Sequence, residues 1–256
     1  MKVARRGMLL SLLLMILALS VSVASTFAWF AINREVRVTN MQLTTKSDFT
    51  YLVIKAENDL SAPAPTDVDD LDVGVSASAV ASAERILPVR YNASGTGETK
   101  WETAAGTNYN NGAALNNEFS AVAAANLDDY VIQYRFYVGL ASNSPLAARN
   151  LKITSLTASQ VGLGQNDTGS IFLPAVSAVV KCGSTIINFE DVNSNTDINT
   201  DAAILSENVN LLTVYTIDVF VYVNGQHEDI TSANATAANL ASFTLSMTLN
   251  VERVEN

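Results

Sequence analysis

Few residues of this chain combine a chemically useful type with a useful spacing. His227 is the only histidine. A two-histidine zinc site therefore cannot form, and any acyl-transfer triad must centre on His227. No Gly-x-Ser-x-Gly elbow supplies a nucleophile, and neither a P-loop nor a dinucleotide fingerprint occurs. His227 follows Asn224-Gly225 and stands beside Glu228 and Asp229, so it reads as an exposed turn residue. Cys182, the only cysteine, ends the run Ala178-Val179-Val180-Lys181. Reactive thiols need an electropositive, accessible setting, whereas this one sits in a strand pattern and reads as structural. No enzyme is expected.

The best-spaced ligand set is Asp191, Asn193, Asn195 and Asp197. Oxygen side chains at every second position can wrap a hard cation such as calcium, and the opening matches Asp-x-Asn-x-Asn. Thr196 stands where the tight turn wants glycine, and Asp201-Ala202 replaces the closing bidentate glutamate. The competing reading is a polar loop between strands, with no cofactor at all. A second acidic cluster, Asp67, Asp69, Asp70 and Asp72, is expected to be a solvated loop.

Charge narrows the partners. The chain carries 15 Lys+Arg against 25 Asp+Glu, a formal −10. Nucleic-acid phosphates would be repelled, and so would anionic lipid surfaces.

The destination is written in the first residues. Lys2, Arg5 and Arg6 precede an apolar run from Met8 to Ile32, with small residues Ser22, Ala24, Ser25 and Ala28 near its end. That is the pattern of a secretion signal, cut at Ser22-x-Ala24 or Thr26-x-Ala28. Left uncut, residues 8–32 would form a membrane-spanning helix, with Trp29-Phe30 at the interface. Residues 1–29 are thus a signal peptide or an anchor, and residues 30–256 are a single secreted domain.

What positions these groups is β-structure. Val36, Val38, Asn40 and Gln42 alternate with Arg37, Thr39, Met41 and Leu43. Phe49–Lys55 follows after the turn Lys46-Ser47-Asp48, so the two runs are expected to pair. Long loops are expected at 57–85 and 92–128. Ser76–Glu84 is a short helix or an irregular connection, and Ala113–Leu127 contains a short helix around Phe119 and Val122. Strands are expected at Ile86–Tyr91, Tyr130–Val138, from Leu151, at Ser170–Cys182, Thr185–Phe189, Leu211–Val223 and Phe243–Val254. Asn224-Gly225 signals a hairpin. Tyr134, Phe136, Ile217, Val219, Val221, Leu245 and Met247 fall on the inward faces and should be core. The fold class is all-β: a β-sandwich or jelly roll with one or two short helices behind the N-terminal signal or transmembrane helix.

The string Ser25-Thr26-Phe27-Ala28-Trp29-Phe30-Ala31-Ile32-Asn33, running into a strand, resembles the TasA/camelysin family of secreted Gram-positive proteins. The stretch Asp218–Gly225 with Phe243–Met247 is similar to the closing hairpin of such proteins. The resemblance implies a jelly-roll domain that assembles into extracellular matrix fibres. Some camelysin members are described as metalloproteases, but no His-Glu-x-x-His occurs in this chain. On this basis the expected function is a structural subunit of a matrix fibre or cell-surface filament. It would self-associate by N-terminal donor-strand addition through Phe30, Val36, Val38, Met41 and Leu43. The alternative is a surface-binding module, an adhesin, working through its polar loop Asn92–Gly112.

Overall fold

Alternation of apolar and polar residues in the last strand already requires a sheet with one wet and one dry face. The computed structural model bears this out. It describes residues 37–45, 52–71, 76–80, 86–92, 101–104, 109–110, 113–114, 119–142, 144, 147–160, 173–192, 203–228, 230 and 242–254. The strands are β1 (Arg37–Thr45), β2 (Leu52–Glu57), β3 (Ser76–Val80), β4 (Arg90–Tyr91), β5 (Trp101–Ala104), β6 (Tyr109–Asn110), β7 (Ala113–Ala114), β8 (Phe119–Ala121), β9 (Val131–Leu140), β10 (Ala148–Gln160), β11 (Val176–Cys182), β12 (Thr185–Phe189), β13 (Ile204–Val209), β14 (Tyr215–Val223) and β15 (Ser242–Arg253). The helical content among the described residues is 3₁₀, at Val68–Asp70, Leu173–Ala175 and Ala124–Asp129.

Two five-stranded sheets form an all-β sandwich. Sheet I has the order β13-β10-β15-β1-β3, and sheet II the order β12-β11-β14-β9-β2. The chain changes sheet at most of its connections, as in Greek-key and jelly-roll sandwiches. Between the sheets lies one apolar core. It includes all seven residues expected there: Tyr134, Phe136, Ile217, Val219, Val221, Leu245 and Met247.

The sheets differ on their outer faces. Sheet I turns Gln42, Thr244, Ser246, Thr248 and Glu252 outward, so β15 shows strict alternation. Although Lys181 and Ile186 are exposed, much of sheet II is covered on both faces, which is why β9 and β11 read as nearly continuous apolar runs. Toward one end of sheet II, Val131, Val179 and Tyr222 pack outward against Val89, Trp101 and Val122. These last residues belong to a small outer lobe built on the sheet β4-β5-β8. Toward the other end, Val53 and Tyr137 pack against Val68 and Leu71 of the excursion that follows β2.

Several expectations are corrected. β1 and β2 are not a hairpin: they lie in opposite sheets, so the chain passes from one sheet to the other between them. Residues 76–80 are strand rather than helix, because β3 completes the edge beside β1. The stretches expected as loops carry β3, β5 and β8. Trp101 anchors one of these strands, and a polar surface excursion would not bury its only tryptophan to 7% exposure. Around Phe119 the backbone is strand, and the helical turn comes later, at Ala124–Asp129. Asn224-Gly225 does not join two paired strands. Asn224 bridges Val89, and the next strand, β15, belongs to the opposite sheet. β13, whose alternation is broken by Ser206-Glu207-Asn208, was not anticipated at all.

Candidate functional site: strand β1 and the groove it fills

β1 sits between β15 and β3 and pairs with both. Its pairing with β15 is parallel, whereas every other pair in sheet I is antiparallel. Met41 stands opposite Leu245 on one side and Ala79 on the other; Leu43 stands opposite Met247 and Ala77. Met41 and Leu43 are fully buried, while Gln42 between them faces water. Burying two such side chains contributes about 2–3 kcal/mol each.

The sequence of β1 carries a phase break, with apolar residues at even positions up to Val38 and at odd positions from Met41. A β-bulge absorbs it. Val38 pairs with Phe243 and Met41 with Leu245, so three steps along β1 match two along β15. Of the expected assembly residues, Val38, Met41 and Leu43 therefore lie within one strand, while Phe30 and Val36 lie outside the described residues.

The strand runs from the end of the sandwich where β15 starts to the end where β9 finishes and β14 begins. We term this second end the lower end. Leu52, the first residue of β2, pairs with Leu140 there. Only six residues separate Thr45 from Leu52.

Of the cation candidate, the described residues include Asp191 alone. Asp191 follows β12 with a left-handed backbone (φ 55°), which aspartate tolerates. Asn193, Asn195 and Asp197 lie outside the described residues, and among the described residues no group of three or more His, Cys, Asp or Glu side chains could hold a metal. Asp67 caps the 3₁₀ turn Val68–Asp70, its carboxylate accepting from the amide of Asp69 at 3.1 Å. His227 lies in the turn after β14, its amide donating to the carbonyl of Asn224. Cys182 is buried, and burial together with the charge of Asp218 pushes its thiol up to about 11.

Two polar clusters pin the outer faces. Arg135 donates to Asp218 at 2.7 Å and to the carbonyl of Leu60 at 2.9 Å, tying the excursion after β2 to sheet II. Arg90 donates to Glu102 at 2.7 Å and stacks its guanidinium 3.5 Å above the Phe119 ring, closing the outer lobe. Both clusters hold layers together.

One surface feature was missed in the sequence. Leu211 was expected to face inward at the start of a long strand, but β14 begins only at Tyr215. Leu211 and Leu212 are 47% and 55% exposed. The signal for an early stop was Asn210, a polar turn former just ahead of them.

No protein-family description, curated protein or solved structure matches the chain. No helix among the described residues is long and apolar enough to cross a membrane.

Proposed function

We propose that this protein is an extracellular structural subunit, of the matrix-fibre or surface-filament type, whose copies join by exchanging the N-terminal strand β1. The observation that carries this reading is the position of β1. It is the first strand among the described residues and fills an interior slot of sheet I, paired on both sides, yet joined to β2 by one six-residue connection. Withdrawing it would open a groove between β15 and β3, floored by the core that Met41 and Leu43 now cover. The β1 of a second copy could restore every one of these contacts, so exchange costs little at equilibrium. Both ladder edges and alternate side-chain pockets would be reused, as in strand addition generally.

The apolar N-terminal segment supports secretion, and the charge of −10 is compatible with an exposed, soluble surface. Electron microscopy of protein recovered from the medium, with N-terminal sequencing, tests the reading. A start near residue 30 and concentration-dependent assemblies are expected. A protein that stays monomeric at every concentration would overturn it and leave the surface-binding alternative.

A further inference from the structure

The lower end of the sandwich carries a feature that an isolated monomer does not explain. Leu211 and Leu212 project together into solvent from the turn between β13 and β14. Leu212 has a left-handed backbone, φ 59°, a region that glycine or asparagine occupies easily and a bulky residue seldom does. The turn is also firmly held. Val209 on one side is buried in the core, and Val214 on the other packs against the cluster of Val53, Val68, Leu71 and Tyr137. The Tyr215 hydroxyl donates to the carbonyl of Asn208 at 2.8 Å and accepts from the amide of Asn210 at 2.9 Å. Two exposed leucines on a fixed, unfavourable turn are a presented contact rather than a stray one.

The chain path says what meets it. β1 ends at the lower end, and β2 begins at the lower end. Suppose β1 lies in a neighbour. The six residues from Thr45 to Leu52 then span at most about 25 Å, and they join the neighbour's lower end to the donor's own lower end. Exchange through this connection therefore forces the two copies together lower end to lower end. Leu211 bridges to Leu140, and Leu140 pairs with Leu52. At about 4.8 Å per strand, Leu211 lies about 10 Å from the point where the exchanged connection re-enters its own domain.

From this placement we infer that Leu211 and Leu212 form the docking contact between two strand-exchanged copies of this chain. The inference rests on the β1-exchange reading and adds to it the surface that the partner covers. Each copy offers the same end, so the contact is isologous, with the leucine pair of one copy near the leucine pair of the other. Such a contact closes a pair, so β1 exchange joins copies two by two and a fibre needs a further contact between pairs.

The test uses the full secreted chain in three forms: unaltered, Leu211→Ser with Leu212→Asn, and Leu212→Cys. Asparagine suits the left-handed backbone, so the double variant should fold at least as well as the parent. It should nevertheless raise the dissociation constant of the assembly at least about tenfold. Leu212→Cys should form a disulfide between copies on mild oxidation, since the native Cys182 is buried. If the parent exchanges strands but the polar variant assembles equally well and Leu212→Cys gives no crosslink, the docking contact is wrong while β1 exchange stands. If the parent never exchanges strands, both are wrong.

Discussion

Replacing Trp101 by alanine should detach the outer lobe without unfolding the sandwich. Trp101 is 7% exposed and packs with Tyr91, Phe220 and Tyr222, at ring-centroid separations of 5.1, 6.1 and 5.1 Å. A tryptophan buries about 150–250 Å², worth about 4–6 kcal/mol at 25 cal/mol per Å², and a truncation of this kind costs about 3–5 kcal/mol. The loss falls on the lobe, because Trp101 belongs to a cluster separate from the inter-sheet core. The rest of the lobe's hold on sheet II is Val89 and Val122 against Val131, Val179 and Tyr222, with the bridge from Val89 to Asn224; the pair Arg90–Glu102 and the contact of Arg90 with Phe119 act within the lobe. Hydrogen exchange in Trp101→Ala should show amides of β4, β5 and β8 losing protection, while β9, β14 and β15 keep theirs. Loss of protection in all these strands together would refute the separation of lobe and core.

Other outcomes follow from single sites. Gly139→Ala should destabilise by about 1–3 kcal/mol, read from the urea midpoint, because an added Cβ would stand 2.8 Å from Val68 Cγ2 and 3.0 Å from the carbonyl of Thr213. Tyr134→Phe should leave stability within about 1 kcal/mol of the parent or raise it, since the Tyr134 hydroxyl is buried without a hydrogen-bond partner. Hydrogen bonding from Asn92, then Arg90, holds the Glu102 carboxyl below its usual range. Its contribution to the lobe is therefore complete above about pH 4.3 and is lost as pH falls through the lower folded value. Acid loosening of the lobe, followed by exchange at β5, should be blunted in Glu102→Gln.

Much of this fold was legible in the sequence, and the reason is periodicity. β9, β14 and β15 bury one residue in two against a common core, so alternation located both the strands and their inward faces. The partners of the strands were not legible. Lys46-Ser47-Asp48 looks like a hairpin turn, yet the link it belongs to carries the chain across to the other sheet, and a turn signal alone does not distinguish the two. The outer lobe was hidden because its strands are two to four residues long, too short for a period to register. Trp101 was its one strong marker. In the candidate site, Met41 and Leu43 were read as strand residues of one face, but the parallel slot beside β15 is set by tertiary contacts more than two hundred residues away in sequence. Leu211 was misplaced because an apolar residue just before a strand looks like its first inward residue.

The central claim is that copies join through β1, and a reversible staple on that strand tests it most directly. Gln42 pairs with Ser246 of β15, and the spacing of neighbouring strands, about 4.8 Å, lies within the range of about 4.4–6.8 Å between Cα atoms that a disulfide bridges. Gln42→Cys with Ser246→Cys, oxidised as dilute monomer, would hold β1 in its own sheet. Light scattering of the concentrated protein should then show no assembly until a reductant is added, after which assembly should proceed as in the parent. Assembly by the oxidised, stapled protein at the parental rate would contradict strand exchange.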